Sequence, residues 1–412
     1  MAEAISWQQT DAYAMDLEDI DVSRPELMQT DAHWAFFQRL REEDPVHYCK
    51  DSMFGPYWSI TKFNDIMEIE KNHQDFSSDA GIVLGDRPED FQTPNFIGMD
   101  PPKHDAQRKT VQGVVAPMNL AKLESTIRSR AAAILDSLPI GETFNWVDLV
   151  SIELTTQMLA TIFDFPFDDR RKLTYWSDMA TSGELAGGPT PEPVRRAALL
   201  ECLETFTALR DQRQKEDIKP DLLSMLAHGK ETQDMPPMEF LGNLVLLIVG
   251  GNDTTRNSIS GGVYFLNQNP TEYNKLRADH ALIPNMVSEI IRYQTPLAYM
   301  RRTALRDVEF SGKSIKAGDK LAMWYVSGNR DEEAIERPDD FLIDRERARH
   351  HLSFGFGVHR CMGNRLAEMQ LRVLWEEIVQ RFHTVEVVGD VERVQSSFVR
   401  GYSELPVRLH PV

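Results

Sequence analysis

The segment Phe354-Gly355-Phe356-Gly357-Val358-His359-Arg360-Cys361-Met362-Gly363 sets one cysteine among glycines, behind a cationic pair, just as a helical pattern begins. Glycines let a backbone take positive φ and approach a flat ligand closely. A cysteine at the first turn of a helix lies near backbone N–H donors, which stabilise its thiolate. The chemistry on offer is ligation of a soft metal centre by sulfur. The plainer alternative is a turn holding a buried, inert thiol. Cys49 and Cys202 are far away in sequence and no C-x-x-C occurs, so neither a disulfide framework nor a cysteine-built zinc site is expected.

Three other groupings could do chemistry. Gly250-Gly251-Asn252-Asp253-Thr254-Thr255 puts an acid and an alcohol inside an apolar segment. Such groups carry a desolvation cost unless satisfied, and together with water they suffice for a proton relay. Back-bonding of Thr254 to a preceding carbonyl and an ion pair for Asp253 would satisfy them structurally instead. Asp100-Pro101-Pro102-Lys103-His104-Asp105-Ala106-Gln107-Arg108 opens a helix with His104 and Arg108 on one face, either an anion site or a solvated basic face. Glu289-Ile290-Ile291-Arg292 is an i, i+3 ion pair of a kind common on helix surfaces.

The elements that must position these groups are mostly helices. Apolar residues recur at helical spacing over Pro25–Arg41, Pro102–Val115, Leu120–Leu138, Val147–Phe163, Pro193–Glu216 and Cys361–Phe382. The stretch from about Pro236 to Asn269 reads as one helix of more than thirty residues, weakened at Gly250-Gly251, with prolines at its start and just beyond its end. Short strands are expected at Val46–Cys49 and Tyr57–Thr61 as a hairpin, then at Val308–Phe310, Lys313–Ile315 and Lys320–Tyr325. A last pair is expected at Val385–Val388 and Leu405–Leu409. Thr181–Pro193 reads as a mobile connection within one domain.

The cysteine loop matches F-G-x-G-x-H/R-x-C-x-G at every fixed position, and the chain resembles the cytochrome P-450 superfamily, most of all the bacterial soluble members. The likeness runs from about Pro25 to the end, leaving residues 1–24 as an N-terminal extension before a haem domain at 25–412. It implies a mainly α fold of about a dozen helices, with a long central oxygen-binding helix and small β-sheets. It also implies a haem b cofactor held by the Cys361 thiolate, which favours O–O cleavage, with Phe354 shielding the sulfur. His104, Arg108, Arg302 and His359 match positions that bind the haem propionates. Gly250 and Gly251 match the groove where dioxygen lies, Thr254 the residue that hydrogen-bonds it, and Asp253 the acid that relays protons. Glu289 and Arg292 match a buried structural pair whose third member is expected at Arg337.

The same resemblance places Ile82, Val83, Leu84, Phe96, Ile97, Leu246, Val249, Leu297, Ala298, Met300 and Phe398 around the substrate, a set that calls for an apolar ligand. Gly250–Gly262 looks most like the branch that hydroxylates alkanes and related chains at the terminal carbon. A sterol or terpenoid side-chain hydroxylase is the alternative, and a haem-thiolate sensor without turnover the alternative of another class. Electrons are expected from a ferredoxin and its NAD(P)H-dependent reductase, docked on a basic patch of Arg108, Lys109, Arg349, Arg360, Arg365 and Arg372.

Bulk properties fit these expectations. In 412 residues there are 64 Asp plus Glu against 45 Lys plus Arg, a net charge of -19 that disfavours nucleic-acid binding. The polar, acidic start lacks the features of a secretory signal, and the longest apolar run, Leu241–Gly251, is too short to span a bilayer. A cytoplasmic protein, without membrane insertion and monomeric, is expected.

Overall fold

The computed structural model of the chain describes residues 11–412, with fourteen α-helices and small sheets among them. The central helix runs Pro237–Gln268, 32 residues, or about 48 Å at 1.5 Å per residue. Pro236 is extended at its N-cap and Pro237 occupies the first turn, where no N–H is needed. Asn269, ahead of Pro270, leaves the helical region and ends it. Around it pack the helices Glu153–Phe163, Arg171–Thr181, Glu192–Arg213, Ile283–Gln294 and Asn364–Arg381, with Pro117–Asp136 against the first and last of these and Lys103–Gln112 bonded to Glu239 near the start of the central helix. Their apolar faces share one core that includes the fully buried Trp146, Phe163, Trp176 and Trp375.

Several expected helices are shorter or interrupted. The first is two pieces, Pro25–Gln29 and Trp34–Glu43, because Asp31 adopts φ +61° between them. The one expected over Val147–Phe163 begins as a wide π-type turn, Val147–Ile152, before Glu153–Phe163. The cysteine itself lies ahead of its helix, which starts at Asn364.

The main sheet has the order Val46–Cys49, Tyr57–Ile60, Lys320–Met323, Met300–Ala304, Phe76–Ser77. The first two strands form the expected hairpin, with Tyr48 opposite Trp58. Tyr57–Ile60 and Lys320–Met323 run parallel, joining distant parts of the chain, while Met300–Ala304 pairs antiparallel to the latter. Val308–Phe310 and Lys313–Ile315 form a hairpin whose turn puts Ser311 and Gly312 both at positive φ, as a two-residue primed turn requires. The tail strands Phe382–Val387 and Pro406–Pro411 pair antiparallel with each other, and Pro406–Pro411 also pairs with Phe144–Asn145 on its other edge.

The connection after Thr181 is closely bonded rather than loose. Gly183 and Thr190 bridge, the Ser182 and Thr190 hydroxyls lie 2.7 Å apart, and the Ala186 carbonyl accepts from Ser396 and Ser397. Residues 11–24 lie against the body, where Arg39 donates to the carbonyls of Ala12 and Met15. Residues 1–10 of the expected extension lie outside the described residues. Among the described residues no helix is long and apolar enough to cross a membrane.

Candidate active site

The cysteine loop is shaped by its glycines. Gly355 and Gly357 both take φ +66°, and a Cβ on Gly357 would lie 2.2 Å from the Glu70 carbonyl oxygen. Only glycine fits where the loop presses on the end of the helix Phe63–Lys71. The Cys361 N–H donates to the Phe354 carbonyl at 2.8 Å, closing the loop, and Phe354 packs against the core beside the sulfur. Cys361 lines a cavity of about 350 Å³ that reaches up to the central helix. Cys361 is exposed into that cavity, yet the protein mass around the loop raises its pKa, against the pull of the Gly363 and Asn364 N–H groups and of Arg108 and Arg360. Those donors are arranged to hold a thiolate once a metal takes the place of the proton.

One side of the cavity floor carries Arg108, Arg302 and His359. Behind this lining the buried His104 meets the His359 ring edge to face at 4.4 Å. His359 is pushed down to about 2, chiefly by burial and then by the charges of Arg302, His104 and Arg108. Burial likewise lowers His104. His104 Nε2 and His359 Nδ1 are buried without a hydrogen-bond partner. Asp105 pairs with His104 at 2.7 Å, and Glu70 pairs with Arg302 at 3.5 Å and takes a short hydrogen bond from the Tyr325 hydroxyl. Burial raises Glu70 to about 7 despite both.

Above the sulfur, the central helix turns Gly250 and Thr254 toward the cavity. A Cβ at Gly250 would meet nothing within 4 Å, so this residue leaves open space. A Cβ at Gly251 would meet Leu159 at 2.7 Å, so the second glycine mainly admits the neighbouring helix Glu153–Phe163. Thr254 Oγ1 donates to the Gly250 carbonyl at 2.8 Å, the local back-bond that sequence allowed. Asp253 is fully buried and accepts from Asn252, Ser177, Thr181 and Arg256 at 2.9 to 3.1 Å. Arg256 also reaches Asp178 at 2.8 Å. Burial works against the Arg256 charge, yet Asp253 and Asp178 outweigh it and hold its pKa high. Asp178 is raised by burial, with the Asp253 charge adding to this. Thr181, which lines the cavity, is the hydroxyl that bridges it to Asp253.

Behind the loop, Glu289 and Arg292 are fully buried and paired at 2.7 Å. The expected third member is wrong: Arg337 is 63% exposed, at φ +47°, and pairs with Asp340. Arg345 takes that place, with Nε 2.9 Å from Glu289 and its other nitrogens on the carbonyls of Glu336, Arg337 and Asp340. The side chain that reaches back to the pair comes from the end of the 330–345 segment, not from its turn.

The family model for cytochrome P450 matches residues 26–401. The chain belongs to the cytochrome P450 family. It is similar to linalool 8-monooxygenase of Pseudomonas putida, 33% identical over 96% of this chain and all of that one. Among solved structures it is similar to cytochrome P450-153 from Novosphingobium aromaticivorans, 47% identical with a TM-score of 0.90, over 95% of this chain and 99% of that one. It is also similar to CYP153D17 from Sphingomonas sp. PAMC 26605, 49% identical with a TM-score of 0.90, over 94% and 98%.

A P450 is a monooxygenase whose cofactor is haem b. The residues present fit that group: a sulfur facing the cavity, Gly250 leaving room above it, and two arginines beside orphaned imidazole nitrogens, the donors that two carboxylates call for. Cys361 would hold the iron, and His104, Arg108, Arg302 and His359 the propionates. When bound, the haem supplies the activation of dioxygen.

Of the expected substrate residues, Ile82, Val83, Phe96, Ile97, Leu246, Val249, Leu297, Met300 and Phe398 line the cavity of this P450. Leu84 and Ala298 do not; both are fully buried in a neighbouring apolar cluster, where the Leu84 N–H donates to the Tyr299 hydroxyl. Sequence reasoning missed Glu70, Ser177, Thr181 and Arg345. Arg256, three residues after Asp253, carried a readable signal as an i, i+3 ion pair on one helix.

Proposed function

We propose that this P450 hydroxylates medium-chain linear aliphatics, such as n-alkanes and fatty acids, at the terminal carbon. The carrying observation is the cavity: apolar walls built from Ile82, Val83, Phe96, Leu246, Val249, Leu297 and Phe398 lead to the sulfur of Cys361. Such walls orient a chain by shape alone, and water is excluded from its length. Gly250 leaves the space above the sulfur in which dioxygen and one chain end meet. Thr254 holds a hydroxyl at that point, and Asp253 feeds it protons through Thr181 and water. Arg256 pairs with Asp253 at 2.9 Å and holds its carboxylate in place beside Thr181.

Electrons come from a ferredoxin and its NAD(P)H-dependent reductase, in the cytoplasm, to a monomer. Lys109, Arg360 and Arg365 are exposed and make no ion pair among the described residues, which leaves them available to an acidic partner. Arg372 is already held by Glu124 and Glu376, and Arg349 stands 3.6 Å from Glu368, so neither belongs at the centre of that surface.

A second reading, oxidation of a terpenoid side chain, is favoured by the similarity to linalool 8-monooxygenase along the whole chain. Titration of the haem Soret band with dodecane, dodecanoate, linalool and cholesterol separates the two, followed by product analysis with a surrogate ferredoxin and reductase. Spin-state shifts with the linear compounds and terminal alcohols as products are expected. Binding of linalool or cholesterol with no response to either linear chain refutes the first reading.

A further inference from the structure

Four arginines line the cavity: Arg87, Arg108, Arg195 and Arg302. Arg302 is paired with Glu70, and Arg195 with Glu192 at 2.6 and 2.8 Å. Arg108 belongs to the His104–His359 cluster that fits the haem carboxylates. Arg87 has no such explanation. Its side chain donates to the Thr93 carbonyl at 3.3 Å, and among the described residues no carboxylate lies within 4.0 Å of the guanidinium. Two acids on its own segment are committed elsewhere, Asp86 to Arg301 and Lys320 at 2.8 and 2.6 Å and Asp90 to Arg196 at 2.6 Å, while Glu89 is exposed and makes no ion pair with Arg87.

Arg87 lines the cavity, and its Nη2 and the Ser78 carbonyl oxygen would lie 3.6 and 3.8 Å from a Cβ on Gly98. Its segment is pressed against the connection after Thr181, since a Cβ on Gly85 would lie 2.6 Å from the Leu185 carbonyl oxygen. Phe91, four residues on, sits under the guanidiniums of Arg195 and Arg196 at 5.6 and 5.0 Å. Burial, then the charges of Arg301 and Arg195, lower the pKa of Arg87, and only Asp79 opposes them, at longer range. None of the four groups that fit the propionates is among the charges acting on it. An under-neutralised cation on an apolar cavity is costly on its own, and a carboxylate arriving beside it offsets that cost. The planar fork of a guanidinium matches a carboxylate with two parallel hydrogen bonds.

We propose that Arg87 anchors a carboxylate on the substrate, so that the cavity prefers linear aliphatics with one anionic end and presents the other end to Gly250, Thr254 and Cys361. This rests on the linear-chain reading above and names the group that sets selectivity within it. The same carboxylate chemistry has a second source, the haem propionates, and the experiment separates the two.

The test uses the full-length holoprotein. Dodecanoate, methyl dodecanoate and dodecane are titrated against the wild type, Arg87→Met and Arg87→Lys, with haem content and reduction potential measured alongside. Arg87→Met is expected to weaken dodecanoate binding by about 10- to 100-fold while the ester and alkane change by less than about 2-fold. Arg87→Lys should restore part of the loss, because a point charge replaces a fork. Equal weakening of all three ligands, or a changed haem content or potential, assigns Arg87 to the cofactor or the fold and overturns the proposal. Unchanged dodecanoate affinity overturns it as well, while leaving the linear-chain reading standing if dodecane still shifts the spin state. No response of the wild type to any of the three overturns both.

Discussion

Replacing Arg345 with methionine should destabilise the holoprotein far more than replacing Arg337. Arg345 is buried and spends four donor contacts, one on the Glu289 carboxylate and three on backbone carbonyls of the 330–345 segment. Its loss leaves Glu289 fully buried with Arg292 and the Leu342 N–H as partners, and takes a donor from three carbonyls, of which Asp340 keeps Arg292 and Arg337 keeps the Asp340 N–H. Breaking a buried, hydrogen-bonded charge network typically costs about 3–5 kcal/mol. Arg337 makes one exposed ion pair, worth at most about 1 kcal/mol, and holds a left-handed backbone that glycine accepts freely. Arg337→Gly should therefore be neutral within about 1 kcal/mol. Urea unfolding followed by the Soret band, with the carbon monoxide difference spectrum reporting intact thiolate ligation, measures both. Equal losses in the two variants, or a larger one at Arg337, would refute the assignment of Arg345 to the network.

Thr254→Ala should keep NAD(P)H consumption but divert it, with hydrogen peroxide release rising and product per NAD(P)H falling; unchanged coupling counts against a role for the hydroxyl. Gly250→Ala fits without a clash and removes a helix-interior glycine, so stability should rise by up to about 1 kcal/mol while occupancy of the cavity above Cys361 slows turnover. Glu70 has a folded pKa raised to about 7, so its ionisation is disfavoured in the native state and stability is lost as pH rises from its unfolded value through 7. Glu70→Gln should match the wild type near pH 5 and exceed it by up to about 3 kcal/mol above pH 8, read from thermal unfolding across that range. Lys109→Glu should weaken ferredoxin-driven turnover at low salt and flatten its salt dependence, whereas the same change at Arg372 should disturb its ion pairs more than docking.

The cysteine loop and the central helix could be read from sequence because their determinants are local. Glycine positions, a following helix and flanking prolines are set by backbone conformation within a few residues. Arg345 could not be placed this way. It lies 56 residues after Glu289, and only the path of the chain between them decides which arginine returns. Glu70 sits on a short amphipathic helix beside Asp65 and Glu68 and resembles them until the cysteine loop covers it. The errors around the substrate have the same origin. Leu297 bridges to Val399 in extended chain, so its neighbour Ala298 faces the other way, into the core. Ser177 and Thr181 reach Asp253 across a helix contact that no spacing within either segment foretells.

The parallel pairing of Tyr57–Ile60 with Lys320–Met323 bears on biosynthesis. It ties the first fifth of the chain to its last quarter, and the loop bearing Cys361 rests on Glu70 from the early part. On the ribosome, residues 57 to 104 would emerge long before the strand and loop that complete their surroundings, and long-separated pairings are the slow ones to form. Capture of the cofactor therefore waits until the Cys361 loop has emerged and both halves of the grip can meet.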